Sequence, residues 1–294
     1  MAQPFFEILA PAHWNAPAVF NSPHSGREIP PALTLRSQLS TLALRQSEDC
    51  FVDELFLGCQ RHGMPMLRAL ASRAYLDLNR EPYELDARMF QESLPGFMNP
   101  SSARVAAGFG TVPRLVMEGQ EIYRGKLTLA EAVERIDNYY RPYHRTLTAL
   151  LNEAHAATGH VLLIDCHSMP SSAVQGLHQP FATRVDMVIG DRHGVSCGRE
   201  LTNAIQDFFS AQGLHVVRNK PYAGGFITES YGAPQQKRHA LQIEVNRELY
   251  MDERRQEKNA GFEQIKQILT NFAAFIQEML IEKDFQLQHP LAAE

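Results

Sequence analysis

The apolar run 161–166, which opens the motif LLIDCHSM, constrains this chain more than any other stretch. The opening residues are apolar without alternation, so neither face of such a strand can be left to water. The run 185–189, which overlaps DMVIG at 186–190, has the same character. Further short β-rich runs fall at 18–21, 64–70, 74–78, 214–217 and 241–245. Helical patterns lie between them. Ser47 can cap a helix with Glu48 and Asp49 in its first turn and Val52, Leu55, Phe56 and Cys59 on one face, ending near Gly63. Thr128 and Glu131 form a capping box that opens a longer helix on Leu129, Val133, Ile136, Tyr140, Tyr143, Leu147 and Leu151. Two more helices are expected over 195–212 and 252–281, the second on Phe262, Ile265, Ile268, Leu269, Phe272 and Phe275. Strands that alternate with helices predict an α/β fold with a mixed, mostly parallel sheet between helical layers.

A chain of 294 residues with 44% hydrophobic composition can bury one large core, which predicts one domain over 1–282 and a loosely held tail over 283–294. The stretch 88–125 is less periodic, with Gly, Pro and Ser interspersed. Lys and Arg number 28 against 33 Asp and Glu, a net charge of −5 without a cationic block, so nucleic acid is not an expected partner. No run approaches the roughly 18 apolar residues of a membrane span, and the N-terminus lacks the charged-then-apolar order of a secretion signal. Cys50, Cys59, Cys166 and Cys197 form no CxxC pair, which points away from disulfides and thiolate zinc and fits a cytoplasmic protein. The sequence leaves the oligomeric state open.

Four motifs place polar residues where strands end, the usual ligand position in α/β sheets. NSPHSG puts His24 in a turn flanked by Pro23 and Gly26. IDCHS ends a buried strand, and strand alternation puts Asp165 and His167 on one face, where the acid can orient the imidazole as a metal ligand. Glu48 and Asp49 either complement a helix dipole or supply the carboxylate of a His, carboxylate, His set. YLDLNR carries Asp77, Asn79 and Arg80, and LQIEVNR sets Glu244 among Leu241, Ile243 and Val245. A carboxylate in such surroundings needs a partner or a task. Glu244 is therefore either the buried ion-pair partner of Arg80 or a general base beside an arginine suited to a substrate carboxylate.

The ordered set PHSG, SEDCFVDELF, DLNR, IDCHS, YAGGFITESYG and IEVNRELY, spanning 21–250, resembles the N-formylglutamate amidohydrolase family. The resemblance implies a fold like that of zinc carboxypeptidases and aspartoacylases, of the phosphorylase/hydrolase-like type. It also implies a small-molecule N-acyl amino acid as substrate and a zinc cofactor, with other divalent ions as alternatives. Carried over by position, His24 and His167 match the zinc histidines, and Asp49 is preferred to Glu48 as the third ligand. Asn79, Arg80 and Tyr231 fall at positions that meet substrate, and Glu244 matches the catalytic glutamate. The sequence departs from the family pattern at Thr228-Glu229, where an arginine is expected after the threonine, which leaves the exact acyl amino acid open. A carboxypeptidase-like peptide hydrolase and a non-catalytic metal- or amino-acid-binding protein are the rival readings. A Cys166–His167 nucleophile is disfavoured, because adjacent strand residues face opposite ways.

Overall fold

The computed structural model describes residues 4–117, 119–175 and 184–281, so the expected tail at 283–294 lies outside the described residues. Seven strands form one sheet: β1 (Phe6–Leu9), β2 (Ala18–Ser22), β3 (Met66–Ala69), β4 (Val161–Met169), β5 (Met187–Gly190), β6 (Val216–Arg218) and β7 (Arg238–Asn246). Their order is β1-β3-β2-β4-β7-β5-β6. β2 with β4, β4 with β7, and β5 with β6 are parallel, whereas β5 runs against β7. The mixed, mostly parallel α/β architecture is the expected one.

Strand alternation sorts this sheet chemically. Ala18 and Phe20 of β2, Leu162, Ile164 and Cys166 of β4, Met187 and Ile189 of β5, and Leu241, Ile243 and Val245 of β7 join one buried apolar cluster. Helices Val52–Phe56, Arg199–Ala211 and Phe262–Leu280 supply much of the rest of that cluster, with the Phe272 ring tilted 4.7 Å from Phe209 and edge-on 6.3 Å from Phe20. The alternate positions Asn21, Asp165, His167, Gln242 and Glu244 must then project from the opposite face. Burial of the apolar face thereby aims a polar row the other way.

By contact density the chain divides into two compact units, each entered more than once: Met1–Glu7, Pro23–Asp49 and Arg68–Leu147 in one, and Ile8–Ser22, Cys50–Leu67 and Thr148–Glu294 in the other. The helix expected from Ser47 to Gly63 is broken up. Phe51 takes a left-handed conformation at φ 64°, an α-helix runs only over Val52–Phe56, and tighter turns over Leu57–His62 end at Gly63. The expected strand at 74–78 is a loop. Its backbone bonds go to side chains and loop carbonyls rather than to a neighbouring strand: Arg135 Nη1 donates to the Tyr75 carbonyl at 3.0 Å, His144 Nε2 lies 2.9 Å from the Leu78 carbonyl, the Asp77 N–H donates to the Thr111 carbonyl at 2.8 Å, and just beyond, Tyr140 Oη donates to the Arg80 carbonyl at 2.7 Å. The C-terminal helix starts at Phe262 rather than 252, because the apolar stripe begins there. Asp252 sits instead in a two-residue ladder of Met251–Asp252 with Glu257–Lys258.

The capping box forms as expected. The Glu131 N–H donates to Thr128 Oγ1 at 3.2 Å, and the Thr128 N–H donates to Glu131 Oε2 at 2.7 Å. The helix does not continue regularly. Leu129–Arg135 passes through a wide π-type turn, Ile136–Tyr140, before Arg141–Thr158. Pro142 has no N–H to bond back into the preceding turn, and the wider turn absorbs the lost bond. Glu131 also accepts Arg36 Nε at 2.9 Å and Nη2 at 2.7 Å. The Arg36 hydrogen bond, with help from Thr128, lowers the Glu131 carboxyl to about 2. A lowered carboxyl adds stability that is complete above its unfolded value and is lost as pH falls toward the folded one. Glu131→Gln should therefore be less stable than wild type at pH 7, by about 1 kcal/mol or less for this solvent-screened pair. The gap should close as pH falls from about 4.5 to about 2. Thermal melts across that range check it, and a gap constant with pH would count against the ion pair.

Candidate metal centre and active site

After β2 the chain turns through Pro23, His24, Ser25 and Gly26. A Cβ at Gly26 would stand 2.2 Å from the Ala71 carbonyl oxygen, so the turn can pass only with glycine there. His24 is 2% exposed, and its Nε2 lies 2.6 Å from Asp77 Oδ1. With the Nε2 proton directed to that carboxylate, the lone pair resides on Nδ1, which is 3.6 Å from Asp49 Oδ2. Asp49 is drawn to this position by its own N–H, which donates to the His24 carbonyl at 3.0 Å. That bond requires an irregular backbone between Ser47 and Val52, which is why no continuous helix forms there. Glu48 is engaged elsewhere: Arg45 Nε donates to its Oε2 at 2.8 Å and Nη2 to its Oε1 at 3.3 Å.

Asp77 is the residue that sequence reasoning undervalued. Burial alone would raise its carboxyl, but Arg73, Arg80 and His24 outweigh that and hold it well below the usual carboxylate range. Arg73 Nη2 donates to Asp77 Oδ2 at 2.6 Å. The available signal was a carboxylate between Leu76 and Leu78, the same kind of signal that singled out Glu244.

On β4, His167 Nε2 lies 3.0 Å from Asp165 Oδ2, and Asp165 Oδ1 accepts Asn21 Nδ2 at 2.7 Å. The same-face relation expected from alternation is present. Each of His24, Asp49 and His167 is buried and offers a ligand atom, and these atoms all lie within 4.8 Å of one another. Two imidazoles and one carboxylate at that separation form a site that could bind a metal. Glu244 is the register partner of His167 across β4 and β7, is 7% exposed, and accepts Gln242 Nε2 at 2.8 Å.

The residues expected to meet substrate are arranged less simply. Arg80 spends Nε on the Phe109 carbonyl and Nη1 on the Asn79 carbonyl, both at 2.8 Å, with Nη2 3.5 Å from Asp77 Oδ2. It is thus built into the loop that carries it. The Asn79 N–H donates to Asp77 Oδ1 at 2.9 Å. Tyr231, at the end of helix Phe226–Tyr231, reaches Thr148 Oγ1 at 3.4 Å, and burial pushes its hydroxyl up to about 12. Glu229 pairs with Arg192 at 3.1 Å, so the charge at the departing position is countered locally. Cys166 belongs to the apolar cluster on the opposite face, and burial pushes its thiol well above the ordinary value. The Cys166–His167 nucleophile is thereby removed.

A mixed α/β sheet that carries a histidine and a glutamate in register, with a second histidine and an aspartate gathered beside the first, has the make-up of a hydrolase with a candidate metal centre. Residues 16–251 match the family model described as N-formylglutamate amidohydrolase, and the chain belongs to that family. The N-formylglutamate deformylase of Pseudomonas aeruginosa is 29% identical over 253 residues, covering 84% of this chain and 86% of that protein. The N-formylglutamate deformylase of Pseudomonas putida is 28% identical over 250 residues, with 84% and 86% covered. A crystal structure of N-formylglutamate amidohydrolase from Ralstonia eutropha superposes with a TM-score of 0.88 at 34% identity, covering 94% of this chain and 98% of that one. No helix among the described residues is long and apolar enough to cross a membrane.

Proposed function

We propose that this protein hydrolyses the amide of an N-formyl amino acid, N-formyl-L-glutamate first among them, to formate and the free amino acid. The observation that carries the reading is the buried cluster of His24, Asp49 and His167, with Glu244 in register beside His167, in a member of this family. The donor set fits a divalent ion such as zinc. Both imidazoles have a carboxylate on one ring nitrogen, Asp77 for His24 and Asp165 for His167, which orients the other nitrogen as a ligand. Zinc held there would supply a water of lowered pKa and polarise the acyl carbonyl.

The remaining chemistry belongs to the side chains. Glu244 takes a proton from the attacking water and returns it to the departing amine nitrogen. The C–N bond breaks, the hydroxyl ends on the formyl carbon, and the proton ends on the amine. Asn79, Arg80 and Tyr231 orient the carboxylate of the amino acid. Because Arg80 is anchored by two backbone carbonyls, it reaches that carboxylate as a preset donor rather than a mobile one.

Two measurements test this. The zinc-loaded protein should release formate from N-formyl-L-glutamate faster than it cleaves N-acetylglutamate or dipeptides, and cleavage of dipeptides alone would favour a peptide hydrolase. Arg80→Lys should lower kcat/KM by roughly tenfold to a hundredfold, since a lysine cannot meet both carbonyls and a substrate carboxylate; this corresponds to about 1.5–3 kcal/mol. Unchanged kcat/KM in that variant would restrict Arg80 to holding its loop.

A further inference from the structure

Gln242 stands two residues before Glu244 on β7, on the same face, and is 4% exposed. Its register neighbours are Asp165 on β4 and Gly190 on β5. A Cβ at Gly190 would lie 2.7 Å from the Ala223 carbonyl carbon and 2.8 Å from the Gly224 nitrogen, so the glycine-rich segment runs directly against β5 at this level. From that segment the Gly225 N–H donates to Gln242 Oε1 at 2.9 Å. A backbone N–H can meet only the oxygen end of an amide, so Gln242 has a single allowed orientation. The NH2 end must face β7, where it donates to Glu244 Oε1 at 2.8 Å.

We infer that Gln242 is a positioning residue: locked by the Gly225 N–H, it holds Glu244 Oε1 and sets the plane of the carboxylate that handles the proton. The inference rests on the reading of Glu244 as the proton-handling group. The glycine-rich segment thereby acts on the reacting atoms through one side chain.

The test uses the full-length zinc-loaded protein and two substitutions. Gln242→Met removes both bonds at nearly unchanged length, and Gln242→Glu keeps an acceptor for Gly225 while removing the donor to Glu244. Each should lower kcat by about 10- to 100-fold, as loss of orienting partners does, with KM and zinc content within about twofold of wild type. Added to Glu244→Gln, either substitution should cost less than about twofold, because the group it positions is already gone. A merely structural role would lower rate and stability equally in both backgrounds, and that result overturns the inference. Crystal structures of the two variants decide the geometry without any assay. Glu244 should leave its wild-type orientation in both, and an unmoved carboxylate refutes positioning. If the wild-type protein hydrolyses no acyl amino acid, the functional proposal fails on its own, while those crystal structures still settle whether Gln242 positions Glu244.

Discussion

Glu244→Gln should yield a folded, zinc-loaded protein whose amide hydrolysis has fallen by roughly 10² to 10⁴, the range for a positioned general acid-base group. Glutamine preserves the length of the side chain and still accepts from Gln242 Nε2, so the packing on β7 survives. What disappears is the capacity to take a proton. Were Glu244 the buried counter-ion of Arg80, the same change would strand a charge and cost about 3–5 kcal/mol of stability. The geometry argues against that outcome, since Arg80 is held by the Phe109 and Asn79 carbonyls and by Asp77. Thermal melts, metal content and formate release from the single variant separate the cases. Turnover near the wild-type rate would remove Glu244 from the chemistry.

The second large effect concerns the metal. His24→Ala and His167→Ala should each abolish stoichiometric zinc, because two remaining protein ligands hold the ion far more weakly than three. Asp165→Asn should be intermediate. It leaves all three ligands in place but weakens the hold on the His167 ring, and the loss of such an orienting carboxylate lowers metal affinity about 10- to 100-fold. Equilibrium dialysis of zinc against the three variants gives the ranking. Full occupancy in both alanine variants would place the metal elsewhere, and wild-type affinity in Asp165→Asn would deny that carboxylate an orienting role.

The fold was legible where one physical rule dominated. Unbroken apolar runs can satisfy their burial only inside a covered sheet, so β4, β5 and β7 were readable at 161–166, 185–189 and 241–245, while β4 runs on to Met169 and β7 begins at Arg238. The capping box at Thr128 and Glu131 is a local hydrogen-bond exchange that depends on nothing distant, and it formed as read. Errors arose where a local pattern met a nonlocal demand. Residues 74–78 form a short apolar run like that of a strand, yet Arg135, Tyr140 and His144 take the Tyr75, Arg80 and Leu78 carbonyls and the Thr111 carbonyl takes the Asp77 N–H, which leaves the Asp77 side chain to serve His24. The segment after Ser47 has helical periodicity, but the bond from Asp49 to the His24 carbonyl requires a turn there.

The sequence by itself determined the residue types of the candidate site and the sheet face on which several of them stand. Alternation along β4 and β7 is a property of each strand alone, and it fixes Asp165 with His167 and Gln242 with Glu244. Tertiary structure adds a physical ground to the preference for Asp49 over Glu48: Asp49 lies beside His24 and His167, because Arg45 engages Glu48 while the His24 carbonyl draws Asp49 into place. It alone showed Asp77 behind His24, 53 residues away along the chain, and Gln242 between Gly225 and Glu244. Spacing along a chain carries no information about such pairs. They are set by which loops the packed sheet brings within about 3 Å, the reach of a hydrogen bond.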